Sequence, residues 1–260
     1  MSKKYAIVTG ASSGIGLELA RIMAVEKINL VLVARNLNSL AALKDEIQTA
    51  YQIDVHCLAI DLSKLNASQE VYDYCAQNAL QIEYLVNNAG FGDFGFFAES
   101  EWSKQNKMIQ LNITALTQMT HLFLPGMVKQ GSGRIMQVAS VASFLPGPLM
   151  SVYYATKAYV LHFSEAISNE LEGTGVTVTA LCPGPTTSGF QDAAGMGESK
   201  LVKDRKLPSS AEVARYGFKA MMQGKRLAIH GFKNYLMANS VRFSPRGMVL
   251  KVARKIQDKK

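Results

Sequence analysis

The chain is poor in the residues that build metal and disulfide sites. It has three cysteines and four histidines in 260 residues. Cys57, Cys75 and Cys182 show no metal-ligand spacing, and His56, His121, His162 and His230 are scattered, so no metal site is expected. An odd number of cysteines in segments that read as strand or helix fits buried free thiols in a reducing compartment, and the expected location is cytoplasmic. No uncharged run approaches membrane-spanning length. The apolar run YAIVT after the first lysines is too short for a signal-peptide core. No Pro/Ser-rich seam divides the sequence, so a single domain over 1–260 is expected.

Acidic residues are scarce in one part only. Residues 1–199 hold 12 basic and 17 acidic residues, residues 200–232 hold 8 and 2, and residues 233–260 hold 8 and 1. The net charge of +8 therefore belongs to the C-terminal quarter. Nucleic acid is not an expected partner, because no aromatic stacking platform accompanies these charges.

Short apolar runs alternate with helical patterns. Strands are predicted at 5–9, 29–35, 55–61, 84–87, 134–140 and 176–182, with LAIH (227–230) a candidate last strand. Helices are predicted from the glycine turn to about 27, then at 38–50, 66–79, 101–129, 152–171 and 210–223. Such alternation implies right-handed βαβ units and an α/β, Rossmann-type doubly wound parallel sheet. Its ligands sit at the carboxyl ends of the strands, at the topological switch point. Gly10, Arg35, Asp61, Asn87, Ser140 and Pro183 all end or follow a predicted strand.

The stretch TGASSGIG (Thr9–Gly16) reads as a phosphate cradle. Gly10 lets the chain turn sharply, Gly14 and Gly16 allow close approach, and the next helix offers free amides beside Ser12, Ser13 and Ile15. The spacing is GxxxGxG, and no lysine follows the last glycine, which disfavours ATP hydrolysis. Arg35 stands where an acidic residue would bind a ribose 2′-hydroxyl, so NADP(H) is favoured over NAD(H). Asp61, followed by Leu62, suits either the adenine edge or a helix cap. NNAG (Asn87–Gly90) is a second small-residue strand end, with Asn88, Ala89 and Gly90 suited to the adenosine ribose.

Tyr153 and Lys157 lie four apart on a predicted helix and share a face. An ammonium near a tyrosine favours its phenolate, making Tyr153 a candidate general acid/base. Lys157 is placed to hold ribose hydroxyls, Ser140 to donate to a substrate oxygen, and Asn112 to hold a water behind Lys157. Tyr154 is a competing tyrosine.

These motifs together resemble the classical short-chain dehydrogenase/reductase family over about residues 3–232. The family's TGxxxGIG falls on Thr9–Gly16 and its NNAG on Asn87–Gly90. Its catalytic residues fall on Asn112, Ser140, Tyr153 and Lys157. Its PG segment falls on Pro183 and Gly184 with Thr186 or Thr187, and the resemblance implies that this segment touches the nicotinamide. NNAGFGDFG and LCPGPT are similar to a DltE-like bacterial-type branch, although only Arg35 remains of the two arginines usual there. The resemblance implies hydride transfer between NADP(H) and a carbonyl or secondary alcohol, and a homodimer or homotetramer.

Phe91, Phe94, Phe96, Phe97, Phe144, Leu145, Pro146, Leu149, Met150, Phe190 and Met196 suit an apolar substrate pocket, and 188–206 reads as a lid. In the basic extension (233–260), Met248, Val249, Val252, Ala253 and Ile256 form an apolar stripe between Lys251, Arg254 and Lys255. That pattern fits packing on the protein itself, a peripheral membrane contact or a solvated tail. A non-catalytic nucleotide-sensing scaffold and an epimerase or dehydratase are the competing functions.

Overall fold

The computed structural model describes residues 3–195 and 206–258. The strands are β1 (Lys4–Thr9), β2 (Asn29–Ala34), β3 (Val55–Ala59), β4 (Gln81–Asn87), β5 (Gly133–Val138), β6 (Val176–Cys182) and β7 (Leu227–Ile229). All of their pairings are parallel, in the order β3-β2-β1-β4-β5-β6-β7. The chain runs outward from β1 to β3, then crosses back to lay β4 on the other side of β1. The switch point between β1 and β4 is where such sheets hold ligands.

Helices cover both faces: α1 (Gly14–Val25), α2 (Leu37–Tyr51), α3 (Ala67–Gln77), α4 (Trp102–Ile109), α5 (Leu116–Gln130), α6 (Ser151–Glu170), α7 (Phe190–Ala193), α8 (Ser210–Met222), α9 (Phe232–Ser240) and α10 (Arg246–Gln257). This explains why the strands read as continuous apolar runs. Alternate residues of β1 go to opposite sides. Ala6 and Val8 pack with Leu19, Leu40 and Val213 of α1, α2 and α8. Tyr5 and Ile7 pack with Val71, Met119 and Phe123 of α3 and α5.

The structure departs from the sequence expectation in three places. The single helix predicted over 101–129 is divided by a π-helical turn at Gln110–Ala115. The extra residue in that turn changes which side chains face inward, and Asn112 becomes buried. The extension beyond β7 contains two helices, α9 and α10. The apolar stripe expected on the second of these is split. Ala253 and Gln257 face inward, whereas Met248, Val252 and Ile256 are exposed. Of the expected lid, 196–205, including Met196, lie outside the described residues.

The central strands carry the core. Ile7→Ala, at a fully buried site, should cost about 2–5 kcal/mol by denaturant unfolding. Leu65→Ala, at a site 88% exposed, should change stability by less than about 0.5 kcal/mol.

Candidate active site

The cradle is fastened across the switch point. Thr9 Oγ1 accepts the amides of Asn88 at 2.9 Å and Ala89 at 3.0 Å, and donates to Val86 O at 3.2 Å. The Asn88 side chain returns a bond to Thr9 O at 2.8 Å. Gly10 turns the chain at φ +67°, in the left-handed region that favours glycine. A Cβ on Gly16 would run into the Asn88 amide and the Gly10 carbonyl. Gly16 therefore lets α1 close on the β1 turn and, contrary to expectation, does not line the cleft. The start of α1 has neither a side-chain cap from Ser13 nor an acidic residue in its first turn. Its amides are free for an anion, which fits a dinucleotide pyrophosphate.

The chemistry-bearing side chains converge at the ends of β5 and β6. Ser140 follows β5, and its Oγ accepts the Ala142 amide at 3.1 Å. Ser140 Oγ also donates to Pro183 O at 3.4 Å. It lies within reach of the Tyr153 hydroxyl, whereas the neighbouring Tyr154 is within reach of Gln257 of α10. That divides the two tyrosines. Lys157 is buried and donates from Nζ to Val138 O at 2.7 Å. Asn112 does not line the cleft. It accepts the Phe91 amide at 3.2 Å and donates to Phe91 O at 3.0 Å, pinning the segment after Gly90. Its Nδ2 also donates to Thr156 Oγ1 at 3.1 Å.

The electrostatics differ from the expectation of an ammonium-stabilised phenolate. Lys157 Nζ sits 5.9 Å from the Tyr153 ring centroid. Burial pushes the Tyr153 hydroxyl above its ordinary value, against the Ser140 hydrogen bond. Burial also pulls Lys157 down to about 8. Desolvation is the largest cause for each group and disfavours both charges. Tyr153 therefore keeps its proton in this arrangement.

A cleft of about 390 Å³ runs from the cradle to Tyr153. Gly10, Ser12, Ser13, Gly14, Ile15, Arg35, Asp61, Leu62, Asn88, Ala89, Gly90, Ser140, Tyr153, Lys157, Pro183, Gly184 and Thr186 all line it. Thr187 does not; its amide donates to Pro208 O at 2.9 Å in an isolated bridge. Of the two threonines, Thr186 is the one brought in. Arg35 is exposed at the end of β2, and the next residue, Asn36, caps α2 by accepting the Ser39 amide at 3.1 Å. The Asp61 carboxylate accepts from Ser63 N at 3.1 Å and Ser63 Oγ at 2.7 Å. It caps its own turn while lining the cleft. Phe91, Met150 and Phe190 supply an apolar wall, with Phe94 packed behind Met150. Phe96 and Phe97 are exposed, and Phe144 packs against the core around Val160 and Ile229. The pocket is therefore less aromatic than expected.

The family model described as short chain dehydrogenase matches residues 4–198. The chain belongs to the short-chain dehydrogenases. It is 32% identical over 186 residues to the very-long-chain 3-oxoacyl-CoA reductase of Homo sapiens, covering 69% of this chain and 58% of that one. It is 34% identical over 186 residues to the ketoacyl reductase HetN of Nostoc sp., covering 71% and 64%. The chain thus spans under two thirds of the length of these relatives. Among solved structures, it is similar to a short-chain dehydrogenase from Sphingobium yanoikuyae in complex with NADPH, with a TM-score of 0.83, 29% identity and coverage of 93% and 94%. It is also similar to a short-chain dehydrogenase/reductase from Burkholderia phymatum in complex with NAD, with a TM-score of 0.81, 25% identity and coverage of 100% and 98%.

Sequence reasoning within this short-chain dehydrogenase missed three contributors. Thr9 opens the cradle motif, but the motif assigns no role to its hydroxyl, which staples the Asn88 and Ala89 amides. Thr156, beside Lys157, anchors Asn112. Gln257 gave no signal, being remote in sequence from its partner Tyr154.

Gly16→Ala forces α1 away from the β1 turn. NADPH affinity measured by fluorescence titration should fall about tenfold or more, since a shift of the helix start misaligns several amides at once.

Proposed function

We propose that the chain reduces an extended apolar ketone with NADPH, using Tyr153 as the proton donor. As a short-chain dehydrogenase it is a nicotinamide-dependent oxidoreductase that interconverts carbonyl and alcohol groups. The observation that carries the assignment is that Ser140, Tyr153 and Lys157 line one cleft, with Lys157 Nζ 5.9 Å from the Tyr153 ring centroid.

A bound nicotinamide dinucleotide supplies the hydride. Gly10, Ser12, Ser13, Gly14 and Ile15 would hold its pyrophosphate end, and Asn88, Ala89 and Gly90 its adenosine ribose. Leu62 and Asp61 would take the adenine. Pro183, Gly184 and Thr186 would hold the nicotinamide end. Ser140 donates a hydrogen bond to the substrate oxygen, and Tyr153 gives that oxygen its proton. Lys157 binds ribose hydroxyls and replaces the proton. Asn112 is a positioning residue: it fixes Phe91 and, through Thr156, the helix that bears Tyr153. In the reverse direction the same groups remove a proton from the alcohol.

NADP(H) is favoured because Arg35 offers its guanidinium at the end of β2, where a 2′-phosphate lies. Phe91, Met150 and Phe190 favour an apolar substrate, and the names of the 3-oxoacyl-CoA and ketoacyl reductases support a long acyl ketone. The narrower likeness to a DltE-like branch rests on NNAGFGDFG and LCPGPT alone. The segment 188–206 is the lid in this reading, with Ser188, Gly189, Phe190 and Gln191 lining the cleft. Exposed Trp102 on α4 and Tyr159 on α6 support a homodimer or homotetramer built through these helices. The free thiols Cys57, Cys75 and Cys182 support a cytoplasmic location.

Tyr153→Phe should lower kcat by about 10²- to 10⁴-fold with NADPH binding nearly unchanged, whereas Tyr154→Phe should keep kcat close to the parent value. Steady-state rates on a ketone panel check this, and an unchanged rate for Tyr153→Phe sinks the mechanism. Arg35→Ala should cut the NADPH-over-NADH ratio of kcat/KM by about 10- to 100-fold, the loss of a charge-assisted hydrogen bond. A clear preference of the parent protein for NADH overturns the role given to Arg35.

A further inference from the structure

The helix α10 has two faces with different employment. The inner face belongs to the substrate end of the cleft. Ala253 and Gln257 are buried there, Gln257 bonds to Tyr154, and the Arg254 guanidinium lies 5.2 Å from the ring centroid of Phe96. The outer face carries Met248 (57% exposed), Val252 (50%) and Ile256 (39%) at four-residue steps. Exposed Lys251 and Lys255 flank this stripe. In the turn leading to α10, Phe243 is 89% exposed.

We infer that the outer face of α10, with Phe243, is a docking surface for an anionic lipid bilayer. An apolar stripe rimmed by lysines is the arrangement that lies in a membrane interface, apolar side chains among acyl chains and ammonium groups among headgroup phosphates. Charge decides between occupants. Residues 233–260 hold eight basic residues and one acid, Asp258, and Asp258 is 3.5 Å from Arg254. Against a second copy, a two-fold contact would set Lys251 and Lys255 of each chain against those of the other, with no carboxylate left to pair them. An anionic headgroup layer satisfies the lysines and the stripe at once. No described helix is long and apolar enough to cross a membrane, so α10 would lie on the surface.

The same helix touches the residues beside the cleft mouth, so docking brings the apolar wall of the cleft to the bilayer. This consequence, and not the docking itself, rests on the reading of an apolar ketone as substrate.

Flotation with extruded vesicles tests the surface without any assay of turnover. The whole protein should bind vesicles of phosphatidylcholine containing about 30% phosphatidylserine and not phosphatidylcholine alone. Binding should weaken about tenfold or more at roughly 0.5 M salt, where the Debye length is only a few ångströms. Met248→Glu with Val252→Glu, and separately Lys251→Glu with Lys255→Glu, should each abolish it while circular dichroism and thermal unfolding stay as in the parent. Absence of binding, equal binding to neutral vesicles, or binding that survives both double variants overturns the proposal. So does a sedimentation-velocity shift to a smaller species in the Met248/Val252 variant, which would mark the face as a contact between copies. Failure of the reductase reading would appear in the ketone panel and leave these outcomes untouched.

Discussion

The cleft depends on keeping β1 and β4 side by side with their ends open, and one hydroxyl group sets that junction. Thr9 Oγ1 takes two amides from the turn after β4 and gives its own proton to Val86 O. The Asn88 side chain closes the loop by donating to Thr9 O. Without these bonds the strand ends would hold unpaired buried amides, which are costly. With them, the backbone at Gly10 and at Asn88–Gly90 forms two walls at a fixed spacing. Gly16 then allows α1 to lean over the gap and aim its free amides into it. The nucleotide half of the site is thus made of backbone, and its side chains are small because larger ones would fill it.

The other half is made of side chains whose charges are suppressed. Tyr153 and Lys157 are both enclosed, and burial moves each toward its neutral form. Desolvation acts in opposite directions on a phenol and an ammonium, so their placement keeps the proton on the tyrosine. Ser140 opposes this by stabilising the phenolate, and its own orientation is fixed by the Ala142 amide.

Much of this was legible in the sequence, because parallel strands covered on both faces must be continuous apolar runs, and because the small residues at their ends recur in a fixed order. The doubly wound sheet and the cradle followed from that, and the grouping of Ser140 with Tyr153 and Lys157 from the resemblance to the short-chain dehydrogenase/reductase family. The π-helical turn at Gln110–Ala115 did not, since the one-residue shift it makes in the inward face is small against the irregularity of the apolar pattern over 101–129. The only hint was an asparagine among apolar residues. Thr186 and Thr187 are adjacent and chemically equal, so only the path of the backbone separates them. The choice between Tyr153 and Tyr154 was open for a similar reason. What sets the two apart in the fold is Gln257 beside Tyr154, a long-range contact that no local pattern reports.

That contact ties the order of synthesis to the order of assembly. The Thr9–Gly16 turn and its partner Asn88 both precede α6 in the chain, whereas the group that holds Tyr154 is in α10. A nascent chain can therefore close the β1–α1 turn and its staple to Asn88 while the wall at Tyr154 is still unmade. Variation in α10 can thus reshape the cleft wall at Tyr154 with the cradle left intact.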